Sequence, residues 1–230
     1  NNSIKSLIDT FKYPRLGPGQ MWEVCRDKIQ AMGGRVLMQH WVHHVELQDG
    51  QAKSILAKSA LGDVRIKADH VISTTDIRSL VRALGDQAPE PVKQSAEGLR
   101  YRDFLVVALI LNKENLFPDN WIYVHTPGVK VGRIQNFNNW SAAMVPDAGR
   151  TCLGLEYFCF EGDGLWAASD EELQKLAAKE LESLGLASAA DVVDGTVVRM
   201  PKAYPIYDSE YREHLDGVRA FIDRVPNMHT

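Results

Sequence analysis

The chain has 230 residues, of which 45% are hydrophobic and 24% charged, and its formal net charge is −4. Such a chain suits one large or two small globular domains that bury roughly 70–75% of their unfolded surface. The acidic balance excludes general attraction to nucleic acid or anionic lipid, so an anion site has to be local, and no apolar run approaches the ~18 residues of a membrane helix.

Gly17-Pro18-Gly19 is a breaker cluster that opens a helix, in which Met21, Val24, Cys25, Ile29 and Met32 recur at helical spacing before Gly33-Gly34. Cys25 is expected to face the core. Residues 35–38 read as a short strand. Residues 42–47 and 52–59 read as a hairpin about Asp49-Gly50, and residues 64–68 and 70–73 add strand character. Asp76 is placed to cap a helix through Leu84.

The A-P-E-P run at 88–91 marks a domain boundary. Residues 103–112, 121–124, 131–137, 152–160 and 192–200 then read as strands. Residues 170–184 form the clearest helix, with Ser169 as N-cap, and residues 208–224 form a last one. This order predicts an α+β fold, a mixed and largely antiparallel sheet flanked by helices.

Three cysteines (Cys25, Cys152, Cys159) without C-x-x-C spacing argue for a reducing, cytoplasmic setting and against disulfides or zinc. The chain opens on polar residues without an initiator methionine, so neither a signal peptide nor a complete natural start is expected.

The densest polar run is V-G-R-I-Q-N-F-N-N-W-S at 131–141, where Arg133, Gln135, Asn136, Asn138 and Asn139 alternate with aromatic rings. Buried amides need hydrogen-bond partners, and a guanidinium presents a fork of donors suited to phosphate or carboxylate. The run therefore reads as one wall of a site for a small polar or anionic ligand. If the strands pair in order, Tyr101, Arg102, Tyr123, His125, Arg199, Lys202, Tyr204 and Tyr207 converge with Arg133 on a cleft. Equally, such residues sit at strand ends because they tolerate half-exposure.

Other constellations favour structural readings. Gly17-Pro18-Gly19 has Trp22 where a dinucleotide loop needs its last glycine, and no strand precedes it. His40, His43 and His44 do not share one strand face and have no ligand partner at metal spacing. Glu161 and Asp163 read as a turn, and Glu156, in an apolar strand, needs a partner if buried. No nucleophile motif occurs, so neither a catalytic side chain nor a metal ligand is expected.

The segments P-R-L-G-P-G-Q-M-W-E, G-G-R-V, D-H-V-I-S-T-T-D, F-P-D-N-W-I-Y-V-H, V-G-R-I-Q-N-F-N-N-W-S, L-G-L-E-Y-F and K-A-Y-P-I-Y-D occur in this order. In that order they resemble FAD-dependent oxidoreductases of the flavin amine oxidase superfamily, in its UDP-galactopyranose mutase-like or protoporphyrinogen oxidase-like branch. The resemblance implies an internal fragment, with 1–88 a strip of the FAD-binding α/β domain and 89–230 the substrate-binding domain. It implies that Val42, through its backbone, and Ser73-Thr74-Thr75 lie against FAD. By the same token Arg133 holds an anionic group, Asn136, Asn138 and Trp140 orient a polar ring, and Tyr123 and Tyr157 line the cleft.

The chemistry would belong to the flavin. The fragment is therefore expected to be the substrate-binding portion of an oxidoreductase, inactive alone and without bound FAD. The alternatives are a piece of a mutase-like flavoprotein or a cofactor-free binding module. Its expected partners are a small-molecule substrate, the rest of the parent chain, and a second copy through exposed surface.

Overall fold

In a computed structural model, which describes residues 11–230, the chain begins with α1 (Pro18–Ala31), β1 (Trp41–Gln48), β2 (Gln51–Ser59), β3 (Gly62–Lys67), β4 (Val71–Ile72), α2 (Ile77–Leu84) and α3 (Glu90–Gly98). There follow β5 (Tyr101–Leu111), β6 (Trp121–Tyr123), β7 (Arg133–Asn136), α4 (Phe137–Trp140), β8 (Thr151–Cys159), α5 (Gly164–Ala167) and α6 (Asp170–Ser183). The last elements are β9 (Val192–Pro205), α7 (Tyr211–Ile222) and β10 (Met228–His229). The fold is α+β and its sheets are mostly antiparallel. Two compact units divide the chain: residues up to Val36 with Asp103–Pro201, and Leu37–Arg102 with Lys202–Thr230.

The first unit is built on a five-stranded sheet in the order β6-β7-β8-β5-β9. Alternation along β5 and β8 sends Leu105, Val107, Leu109, Leu111, Leu153, Leu155 and Tyr157 to one face, where they are buried with Leu173, Ala177 and Leu181 of α6. Each such leucine contributes about 1.5–3 kcal/mol on burial. The helix starts where its cap predicts. Ser169 accepts from the Glu172 amide while the Glu172 carboxylate accepts from the Ser169 amide, a reciprocal capping box. Ser169→Ala is expected to lower stability by about 1 kcal/mol, read as a shift in urea midpoint at unchanged slope. An unchanged midpoint would show that the packed face of α6 holds its first turn without the cap.

Two expectations need correcting here. The apolar stripe of α1 is present but exposed: none of its residues is buried, and among the described residues nothing covers Met21, Trp22, Val24, Ile29 and Met32. Cys25 is therefore exposed and does not face a core. Helical periodicity reports that a face wants a partner, not that one is within reach. Residues 35–38 do not form a strand. An extended segment becomes a strand only when a neighbour accepts its ladder of hydrogen bonds.

The second unit carries the three-stranded meander β1-β2-β3. At its first turn Asp49 and Gly50 have φ of 52° and 73°, the pair of positive values that an Asp-Gly hairpin turn needs. Val45 and Ala52 of the meander share a core with Leu80, Val81 and Leu84 of α2, Val92 and Ala96 of α3, and Val218 and Ile222 of α7. Asp76 caps α2 by accepting from the Ser79 amide at 2.9 Å. Burial opposes ionisation of its carboxyl, but the Ser79 hydroxyl and amide and the Lys202 ammonium outweigh it and hold the pKa below its ordinary value. The parallel pair β4 and β10 joins Val71 and Ile72 to Met228 and His229.

Candidate functional site

The face of the five-stranded sheet opposite α6 carries the polar groups. Register places Tyr123, Arg133, Glu156 and Val106 in one cross-strand row, and Trp121, Gln135, Gly154 and Ala108 in the next. Rows of opposed side chains on one face are the contacts through which sheets position groups. Glu156 is only 1% exposed. It accepts from Arg133 Nε on one carboxylate oxygen and from Gln135 Nε2 on the other. The Arg133 guanidinium lies 5.7 Å from the centre of the Trp121 ring and 5.9 Å from that of Tyr123, within cation–π range of both. Bonding to Glu156 is the main cause that raises the Arg133 pKa above its ordinary value; desolvation opposes it.

The rest of the run does something different from what its composition suggests. After β7 the chain turns into the short helix α4, and Asn136 caps it by accepting from the Asn138 amide at 3.2 Å. Asn136 Nδ2 donates to the Phe117 carbonyl at 3.2 Å. Asn138 donates to the Arg150 carbonyl at 2.9 Å and accepts from the Cys152 amide at 3.0 Å. Asn139 donates to the carbonyls of Phe117 and Asp119, each at 2.9 Å. These amides bond loop backbone, and for the buried Asn136 that satisfies a group cut off from water. Asn136 and Asn138, expected to orient a ligand, are thus bonded to the backbone of neighbouring loops.

Trp140 packs among Phe11, Tyr13 and Trp121, with ring centres 5.7, 5.0 and 5.1 Å away. It serves as a buttress for Trp121, and its buried Nε1 has no partner among the described residues. Phe137 lies over Gly154, where a Cβ would come within 2.9 Å of its ring. A side chain at position 154 would push the α4 turn off the sheet.

Tyr157 is the clearest correction. It belongs to the opposite face, fully buried, and its hydroxyl donates to Glu180 at 3.0 Å. Burial, then the Glu180 charge, pushes its phenol pKa far above the ordinary value, so it stays a donor. Pairing order also separates Arg133 from Arg199. β8 and β5 lie between β7 and β9, so the strands that carry Arg133 and Arg199 are three strand spacings apart, about 14 Å. Arg199 instead pairs with Asp170. Tyr101, Arg102, Lys202, Tyr204 and Tyr207 belong to the other unit. The structure brings Arg133 and Tyr123 together with Glu156, Gln135 and Trp121 on one sheet face. The signal for Glu156 was a lone carboxylate in an apolar strand, and for Trp121 its two-residue spacing from Tyr123.

The residues assigned to the cofactor lie in the second unit. Val42 is exposed at a bulge near the start of β1. The Ser73 amide donates to the His229 carbonyl at 2.8 Å, and Thr74 and Thr75 are exposed. Beside them His70 Nδ1 lies 3.2 Å from His229 Nε2. The 230 residues supply no glycine-rich loop of the kind that cradles the diphosphate of a dinucleotide. A groove of about 510 Å³ on the meander, lined by Glu46, Lys53, Ser54, Arg65, Lys67 and Asp69, is internally compensated, since Glu46 takes both Arg65 and Ser54.

Comparison with known proteins resolves the family. Residues 18–228 match the profile of the family described as flavin containing amine oxidoreductase. The chain belongs to that family. A search of curated proteins finds no match. Among solved structures, family-like folds recur. A reduced UDP-galactopyranose mutase superposes with a TM-score of 0.78 at 18% identity, covering 94% of this chain and 46% of that one. A protein described as a protoporphyrinogen oxidase from Exiguobacterium sp. gives 0.70 at 18%, covering 93% and 45%. A redesigned putrescine oxidase gives 0.63 at 17%, covering 91% and 46%. At these identities the likeness is one of fold, and the chain spans a little under half the length of each structure. Membership in the family implies FAD in the parent flavoprotein, which would supply the redox chemistry. Among the described residues no helix is long and apolar enough to cross a membrane, and no cluster could hold a metal ion.

Proposed function

We propose that this chain is the substrate-binding portion of an FAD-dependent oxidoreductase of the amine oxidase type, inactive by itself. The observation that carries the reading is the open sheet face, where Arg133 lies between Trp121 and Tyr123, 43% and 62% exposed, with Glu156 beneath it. Exposed aromatic rings beside a fixed guanidinium suit a planar polar ligand, since they supply stacking and directed donors together. In this reading the first four strands and two helices, up to residue 88, contribute a strip of the flavin domain, and the sheet after it contributes the substrate wall. The remainder of the parent chain would cover α1, whose exposed stripe includes Trp22 at 66%. The setting is cytoplasmic, with its three cysteines free.

The test is ligand-induced stabilisation of the purified chain by an amine, a tetrapyrrole and UDP-galactopyranose, in wild type, Trp121→Ala and Arg133→Lys. One class should raise the melting temperature of wild type by several degrees and of neither variant. Stabilisation by the sugar nucleotide alone would favour the mutase-like alternative. Equal stabilisation of all three proteins would remove the wall from the ligand site. Gel filtration with excess FAD should leave no flavin absorbance with the protein. Stoichiometric retention would overturn the claim that the chain cannot hold the cofactor alone.

A further inference from the structure

We infer that Glu156 is a specificity-determining positioning residue, which cancels the charge of Arg133 so that the wall refuses small free anions. The inference rests on the substrate-wall reading and deepens it. A guanidinium on a sheet face would ordinarily be a general anion site. Here its charge is matched by a carboxylate held directly across the strand pair, in register and 1% exposed. Gln135 fixes the second carboxylate oxygen, so Glu156 cannot swing away. The bond to Glu156 uses Nε of Arg133, which sets the plane of the guanidinium relative to Trp121 and Tyr123. A ligand meets a neutral ion pair framed by two rings. It gains stacking and directed hydrogen bonds but little net Coulomb attraction, so a planar ring is selected over a bare phosphate or sulfate.

The probe is inorganic pyrophosphate, titrated into the 230-residue chain with binding read by calorimetry and tryptophan fluorescence. Wild type should show no saturation in the low millimolar range. Glu156→Gln, which keeps the shape and removes the charge, should bind pyrophosphate at least about tenfold more tightly. Adding Arg133→Ala to Glu156→Gln should abolish the gain. Glu156→Asp, which withdraws the carboxylate by one methylene, should give an intermediate gain and serves if Glu156→Gln does not fold. Pyrophosphate binding by wild type as tight as by the variants, or a gain that survives the loss of Arg133, would overturn the inference. A merely structural Glu156 predicts lower stability with no gain in affinity. Failure of the flavoprotein reading would instead appear in the ligand panel above, and leaves the pyrophosphate outcome untouched.

Discussion

Arg133→Ala is expected to destabilise the chain by about 3 kcal/mol and to lower its melting temperature by roughly 10 °C. The cause is the partner left behind. Glu156 has a side chain 2% exposed and Arg133 one 21% exposed, so removing the guanidinium strands a carboxylate under the sheet face with only Gln135 to bond it. An uncompensated buried charge costs far more than a surface pair contributes. The guanidinium keeps some contact with water, which places the cost at the lower end of the 3–5 kcal/mol that such deletions typically show. The control is the double variant Arg133→Met with Glu156→Leu, which replaces the pair by apolar groups of similar volume. It should recover to within about 1 kcal/mol of wild type. Urea unfolding of wild type, Arg133→Met, Glu156→Leu and the double variant gives the double-mutant cycle. If Arg133→Ala costs less than about 1 kcal/mol, water reaches Glu156 and the charge-cancelling role fails with it. Arg133→Ala is thus a stability variant before it is a binding variant, which is why Arg133→Lys is the better ligand probe.

What the sequence made legible follows from what its patterns encode. Period-two alternation in β5 and β8 and period-three-and-a-half spacing in α6 depend on burial of one face, and both match the structure. Asp49-Gly50, Asp76 and Ser169 are local chemistry, so the turn and both caps were readable from neighbours alone. The site was only half readable. Arg133 and Tyr123 fall on the open face, but their meaning depends on pairing order, which inserts β8 beside β7 and brings Glu156 across from Arg133. Parity within one strand could not say that Tyr157 would face α6 and Glu156 the open side. The asparagines are hard to read for a related reason. Their partners, the carbonyls of Phe117 and Arg150, are supplied by loops whose approach is a tertiary event. An amide-rich run has the same composition whether it binds a ligand or its own backbone.

Glu180→Ala is expected to be the most damaging single substitution outside the apolar core, at about 4 kcal/mol. Glu180 is 5% exposed and accepts three donors: the Lys130 amide at 2.6 Å, the Val131 amide at 3.1 Å and the Tyr157 hydroxyl at 3.0 Å. Deleting it strands all three, and a buried donor without a partner costs about 1–3 kcal/mol. Glu180→Gln should cost nearly as much, about 2–3 kcal/mol. An amide has one accepting oxygen, so its NH2 must face either Lys130 N–H or the pair formed by Val131 N–H and Tyr157 O–H, and donor then meets donor. Tyr157→Phe removes one donor with its need and should cost only about 1 kcal/mol. The consequence reaches the open face, because Lys130 and Val131 lead directly into Arg133 at the start of β7. Hydrogen exchange at the Val131 and Arg133 amides should accelerate in Glu180→Gln well before global unfolding. A Glu180→Gln protein as stable as wild type, with exchange unchanged at Val131, would mean that α6 does not anchor this strand. The entry into β7 would then depend on its pairing with β8 alone.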